Sequence, residues 1–405
     1  MKITRRDVLA LPVGLAASAN LVPSLAHAQA GPIKVGVPIP LSGPAALYGE
    51  PALKGAQLFV QELNAAGGVL GRKLELVVRD SKATPDEAVR VAREMILKEN
   101  VDFLVGTLTS AEGPAVSTIA KENKIILIAP IPKTDQLVAP KNLHPYIFRT
   151  ASNTTIEGRT AAMLIAKMPD VKKVATIAHD YAYGQDVAKA FAEHIKKLRP
   201  DIEVVDMQWP KLGEGDYTPF INAQMSKKPD AVFSAMWGGH FVTWAKQAKP
   251  LGFFDLVKNR VVNGGEAGSV EATRALGAEY PFGIIANAYD LPTYDGQPDS
   301  HKKYIERLKA LTKEETPSSW PLMMYVGMQF LVEGIKKAGS IDSDKVSAAL
   351  KGMTIDTPFG KQTLRAKDQQ ADRGEFYGTM IKDPKGGPNA VMSGVTYIDP
   401  NPFMD

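Results

Sequence analysis

The sequence predicts an α/β protein made of two doubly wound lobes. Three observations carry this. Short apolar runs alternate with amphipathic helical stretches, the pattern of parallel sheets covered by helices. The alternation runs as far as residue 130 and then starts afresh near residue 173. Beyond a short leader, about 375 residues are left, ample for two domains of ordinary size.

In the first series, "IKVGVPI" (33–39), "LELVVR" (74–79), "DFLVG" (102–106) and "IILIAP" (125–130) read as buried strands. A helix is expected over 51–66, stopped by Gly67-Gly68, and another over 85–98, opened by Pro85. Pro114 opens a further helical pattern through Ala115, Val116, Ile119 and Ala120. The second series is "KVATIAHD" (173–180), "IEVVDMQW" (202–209), "DAVFSAM" (230–236), "RVVNGG" (260–265) and "GIIANAY" (283–289). Its helices are expected at 184–198, 217–227, 239–250 and 269–276. "YIFRTASNTT" (146–155) reads as the first crossing between lobes and 300–339 as a helical return to the first lobe. A β-rich tail follows from Phe359, with no repeat of solenoid length and no low-complexity segment.

Ligands of open α/β sheets bind beyond the carboxyl ends of the strands, so every strand-to-helix turn is a candidate for one shared cleft. The turn after 102–106 holds Thr107, Thr109 and Ser110 just before a helical pattern. Free N–H groups at a helix N-terminus, with the positive end of its dipole, suit a carboxylate. The same hydroxyls serve equally well as helix caps, and the residues alone leave both readings open.

The first 28 residues read as a signal peptide. Arg5-Arg6 precede a weakly hydrophobic stretch from Leu9 to Leu25 and the small-residue site Ala26-His27-Ala28, which favours the twin-arginine route. Pro12, Asn20 and Pro23 interrupt that stretch, which is shorter than a membrane span. No cysteine follows the cleavage site, so a free periplasmic protein without a lipid anchor is expected. The chain has no cysteine at all, and in an oxidising compartment its stability must come from its core. The formal net charge is +4; Lys2, Arg5, Arg6 and Asp7 carry +2 of it, leaving +2 on the mature chain. Neither nucleic acid nor a membrane surface is implied.

Catalytic signatures are missing. There is no G-x-S-x-G elbow, no H-E-x-x-H and no G-x-G-x-x-G after the first strand. "GGVLGRK" (67–73) lacks the ending of a phosphate loop, and His144, His179, His194, His240 and His301 show no metal-ligand spacing. His179 and Asp180 are adjacent on a strand and point to opposite faces, which disfavours an acid–base pair. No enzyme, metal or cofactor is expected.

The stretch from "VGVPIPLSGPAALYGEPALKGAQ" through "LNAAGGVLGRKLELVVRDSKATPDEAV" resembles the first lobe of the branched-chain amino-acid (leucine/isoleucine/valine) type of periplasmic substrate-binding protein. Further markers are "DYAYG" (180–184) and "GGE" (264–266), and the resemblance covers essentially the whole mature chain. It implies two Rossmann-like lobes joined by a three-strand hinge, the type I periplasmic-binding fold. The implied organisation is signal peptide 1–28, first lobe 29–150 and 291–370, second lobe 151–290, and a return to it with the tail at 371–405.

The resemblance also implies site residues. Tyr48 matches the aromatic that flanks the ligand side chain, and Ser110, beside Thr109, the hydroxyl that receives the ligand carboxylate. Ile131 and Lys133 stand where the family has a small residue and a threonine. Ile131 offers a backbone carbonyl, whereas Lys133 either pairs with a carboxylate or swings into solvent. Tyr183 matches the second-lobe tyrosine that closes over the ligand, and His240 stands in place of an aromatic. Glu266 matches the carboxylate that takes the ligand's ammonium. The family's disulfide is missing, with Ala83 and Thr109 at its positions.

The expected function is that of an extracytoplasmic receptor of an ABC importer, closing by a hinge over a small carboxylate-bearing ligand. Ser110 with Glu266 argues for an aliphatic amino acid; Lys133 and His240 argue for an aromatic or other small carboxylate without an amine. A periplasmic sensor is the less favoured role. A membrane permease is the implied partner, and a monomer the expected state.

Overall fold

The computed structural model describes residues 31–404, so the expected signal peptide lies outside the described residues. The first unit contains β1 (Ile33–Ile39), α1 (Ala46–Ala65), β2 (Leu74–Asp80), α2 (Pro85–Leu97), β3 (Phe103–Val105), α3 (Glu112–Glu122), β4 (Leu127–Ala129) and β5 (Ile147–Arg149). The strands form one parallel sheet in the order β2-β1-β3-β4-β5. Helices cover both faces of such a sheet, which is why the successive residues of β1 from Val35 to Ile39 are all buried.

The second unit follows with α4 (Thr154–Ala166), β6 (Lys173–Ile177), α5 (Ala182–Leu198), β7 (Glu203–Gln208), α6 (Thr218–Ser226), β8 (Ala231–Ser234), α7 (Gly238–Ala248), α8 (Phe253–Leu256), β9 (Val261–Asn263), α9 (Val270–Leu276) and β10 (Ile285–Ala288). Its parallel strands run β7-β6-β8-β9-β10, the same winding as the first sheet. The chain returns to the first unit as α10 (Asp299–Thr312), α11 (Pro321–Ala338) and α12 (Ser343–Leu350). Here α11 lies against α1 so closely that a Cβ on Gly55 would come within 1.8 Å of the Pro321 carbonyl oxygen. A small ribbon, β11 (Thr354–Thr357) with β12 (Gly360–Thr363), leads to β13 (Glu375–Lys382) and β14 (Ala390–Ile398). These last two extend the second sheet antiparallel beyond β10.

Two crossing segments are bonded to each other. Arg149 N donates to Gln369 O at 2.9 Å and Ala371 N to Arg149 O at 2.8 Å. The buried Arg149 guanidinium also donates to the Lys133 and Thr134 carbonyls, at 2.9 and 2.6 Å.

Several sequence expectations change at the boundaries. The first helix begins at Ala46 rather than 51, with Pro51 inside it. The missing proline N–H falls near the helix start and deprives only one early carbonyl of its partner. Helix α3 begins at Glu112, ahead of Pro114, because Thr109 and Glu112 form a capping box. Thr109 Oγ1 accepts from Glu112 N at 3.2 Å, and Glu112 Oε2 accepts from Thr109 N at 2.8 Å. The 300–339 stretch is two helices, broken at Lys313, which has a φ of 62°. Helix α4, not anticipated, is capped by the Asn153 side chain, which accepts from Ile156 N at 2.8 Å.

Candidate ligand-binding cleft

A cavity lies where the carboxyl ends of the two sheets face each other. Its walls come from the turns after β3 (Leu108, Thr109, Ser110), β4 (Ile131, Lys133), β6 (Tyr181, Tyr183), β8 (Trp237), β9 (Glu266) and β10 (Tyr289). Trp320, just ahead of α11, closes the ring. The cavity volume is about 40 Å³, so the walls stand close together, and the site is partly open to solvent. Six of the eight residues singled out from the sequence meet here: Thr109, Ser110, Ile131, Lys133, Tyr183 and Glu266.

Tyr48 and His240 stand one layer back. Tyr48 is fully buried and stacks on Trp320 with ring centres 4.2 Å apart. Its hydroxyl accepts from Gly238 N at 3.1 Å, a bond between the two lobes. His240 lies edge-on to Trp237 at 5.7 Å, and its Nδ1 is 3.2 Å from the Tyr217 hydroxyl. Burial holds its pKa below the usual 6.5, so the ring is neutral at pH 7. Each therefore supports a tryptophan wall.

The hydroxyls of the first-lobe turn divide their work. Thr109 caps α3, as described. Ser110 Oγ accepts from Lys133 N at 3.2 Å and Thr134 N at 3.0 Å, tying the turn after β3 to the turn after β4.

Lys133 does not swing into solvent; it pairs with carboxylates of the protein itself. Its side chain is buried, and Nζ donates to Glu157 Oε1 on α4 and Glu375 Oε1 on β13. The same ammonium lies 3.4 Å from the centre of the Tyr289 ring. A buried lysine is tolerable only when paired in this way. Both carboxylates belong to the second lobe, so Lys133 spans the cleft. Burial pushes the Glu157 pKa well above 4.5, Lys133 pulls it down and Glu375 pushes it up.

Glu266 sits on a turn built to hold it. Asn263 Oδ1 accepts from Gly265 N at 2.8 Å and Ala267 N at 3.1 Å, and Asn287 Oδ1 accepts from Glu266 N at 2.7 Å. Asn287 in turn donates to Glu375 Oε2 at 2.7 Å, joining this turn to the Lys133 cluster. Glu266 has a φ of 64°, a left-handed conformation that costs a side-chain-bearing residue on the order of 1 kcal/mol or more. Gly265 cannot be replaced by a larger residue, since a Cβ would lie 2.1 Å from the Met236 carbonyl oxygen. Among the described residues, Glu266 Oε1 has no hydrogen-bond partner, and Oε2 accepts only from Ser319 at 3.4 Å. Burial pushes its pKa well above 4.5, opposed by Lys133 and reinforced by Glu375. Tyr183 donates to the Gly264 carbonyl at 3.2 Å and steadies the same turn.

Sequence reasoning missed Trp237, Tyr289 and Trp320 in the walls and Glu157, Glu375, Asn263 and Asn287 behind them. Trp237 and Tyr289 follow recognisable strands, a signal that was available; the others need the three-dimensional crossing of the chain.

The description "periplasmic binding protein" matches residues 32–387. The chain belongs to that family. It is 32% identical over 356 residues to the Leu/Ile/Val-binding protein BraC3 of Rhizobium johnstonii, covering 87% of this chain and 92% of the relative. A Pseudomonas aeruginosa binding protein for leucine, isoleucine, valine, threonine and alanine is 29% identical, over 81% and 84% of the two chains. Among solved structures, LivJ of Streptococcus pneumoniae in complex with isoleucine superposes with a TM-score of 0.79 at 23% identity, covering 91% and 100%. A Rhodopseudomonas palustris solute-binding protein with 3,4-dihydroxybenzoic acid also gives 0.79, at 22% identity and 91% and 99% coverage. At these identities the two structures speak for the fold of this periplasmic binding protein. The match gives no support to the twin-arginine route read from Arg5 and Arg6. Among the described residues no helix is long and apolar enough to cross a membrane.

Proposed function

We propose that this periplasmic binding protein is the solute receptor of an ATP-driven importer, and that its cargo is a small amino acid with an aliphatic side chain. The observation that carries the reading is the buried, unpartnered Glu266 Oε1 in a cavity formed by both lobes. A desolvated carboxylate favours a ligand that brings an ammonium. The binding proteins of R. johnstonii and P. aeruginosa, named for branched-chain amino acids, support the same cargo.

In this reading the lobes are 29–150 with 291–370, and 151–290 with 371–405. Cargo first meets the Ser110 side, and contacts with Tyr183 and Glu266 then favour the closed form. The closed receptor docks on a membrane permease as a monomer. Its part is binding and delivery, without turnover. The leader directs it to the periplasm.

The test is a thermal-shift series on ligand-stripped protein with leucine, isoleucine, valine and benzoate. Ligand at a hundred times its dissociation constant adds about 2.7 kcal/mol of stability, enough to raise the melting point visibly. Shifts with the amino acids that vanish in Glu266→Gln are expected. A shift with benzoate alone would refute the cargo.

A further inference from the structure

Thr134 stands in the turn after β4, fully buried, and is not part of the cavity wall. Its hydrogen-bonding groups are all engaged, each with a different part of the molecule. The backbone N–H donates to Ser110 Oγ at 3.0 Å, and the carbonyl accepts from the Arg149 guanidinium at 2.6 Å. The hydroxyl oxygen accepts from Gln136 N at 3.2 Å, within the same turn. The hydroxyl proton goes to Asp186 Oδ2, on helix α5 of the second lobe.

The first of these bonds bears on cargo. Ser110 Oγ accepts from Thr134 N and also from Lys133 N, at 3.2 Å. A serine oxygen has two lone pairs and one proton, so with both lone pairs taken the proton is left to donate. Ser110 lines the cavity, where a carboxylate can take that proton's bond. The last of the bonds bears on closure. Asp186 lies three residues beyond Tyr183, a cavity wall, and so on the same face of α5. Asp186 is only partly buried, so water can replace the bond when it opens.

Resting on the receptor reading, we propose that Thr134 is a positioning residue for cargo binding. It aims the Ser110 hydroxyl into the cavity and latches that seat to Asp186 on the other lobe. When the lobes part, Thr134 keeps its ties to Ser110 and Arg149 and gives up only Asp186. Cargo on the first-lobe seat and closure of α5 over it are thereby coupled through a residue that touches no cargo.

Calorimetric and stopped-flow titrations of ligand-stripped protein with leucine and with benzoate test this. The variants are Thr134→Val, Thr134→Ser, Asp186→Ala, and Thr134→Val combined with Asp186→Ala. Thr134→Val is expected to weaken binding about tenfold or more, as for one lost hydrogen bond to a charged group, mostly through faster dissociation. Thr134→Ser keeps the hydroxyl and should bind within about threefold of the wild type. The combined variant should lose little more than either single one, because both remove the same bond. Losses that simply multiply would overturn the inference, as would a Thr134→Ser protein as weak as Thr134→Val. Should Thr134→Val fail to fold, Asp186→Ala alone decides, and an unchanged dissociation rate overturns the inference. Each of these results leaves the receptor reading intact. A wild type that binds neither leucine nor benzoate would remove that reading and the inference with it.

Discussion

The ammonium of Lys133, on the first lobe, is paired with Glu157 and Glu375 of the second and lies over the face of Tyr289, 3.4 Å from its centre. A positive charge supplied by the protein thus occupies the cleft before any ligand arrives. This sets the electrostatics of the whole site.

Lys133→Met should leave two buried carboxylates without their counter-ion, at a cost of about 3–5 kcal/mol in urea unfolding near pH 8. The sign with pH follows from Glu157, whose pKa burial already holds above 4.5 and which rises further without Lys133. The deficit should be small below pH 4.5 and grow as the pH rises through the shifted value. Adding Glu157→Gln should recover part of it. A deficit equal at all pH values would contradict the pairing.

Ligand affinity should depend on pH through Glu266. Its raised folded pKa means that the unliganded protein holds a stabilising proton below pH 4.5 and loses that contribution as the pH rises through the folded value. An ammonium ligand displaces the proton, so its affinity should climb as the pH rises from 4.5 through the raised folded value and level off above it. Titrations across that range should slope in the wild type and lie flat in Glu266→Gln.

Asn263→Ala should strip the acceptor from two buried N–H groups, of Gly265 and Ala267. Leaving them unsatisfied costs about 1–3 kcal/mol each before relaxation. Chemical denaturation should show the loss, and calorimetry should show weaker leucine binding because Glu266 is no longer held in place.

Tyr48→Phe keeps the ring against Trp320 and removes the acceptor for Gly238 N together with the 3.5 Å contact to Ser269 Oγ. The expected effect is on closure, about 1–3 kcal/mol for the Gly238 N–H left unsatisfied, read as a weaker affinity by the same factor for every ligand. If the hydroxyl touched cargo directly, the loss would differ between leucine and valine.

The fold was legible because buried parallel strands announce themselves as apolar runs; β1 occupies the stretch read from "IKVGVPI". Short pieces escaped, such as β5 and α12, where three to eight residues carry too little periodicity. In the cavity, Ser110, Tyr183 and Glu266 could be placed because each follows a strand closely. Lys133 was noticed, but its state was not readable, since Glu375 lies 242 positions away. The role of Asn263 was hidden for another reason. Its side chain bonds backbone N–H groups two and four residues on, which composition does not mark.

The walls of the cavity are drawn from Leu108 at one extreme of the chain to Trp320 at the other. No fragment shorter than that interval contains the site, and contacts so distant in sequence form late in folding. Cargo binding therefore requires that distant parts of the chain have already come together. A binding signal certifies that both lobes and their crossings are complete, so titrated binding capacity measures the correctly assembled fraction of a preparation.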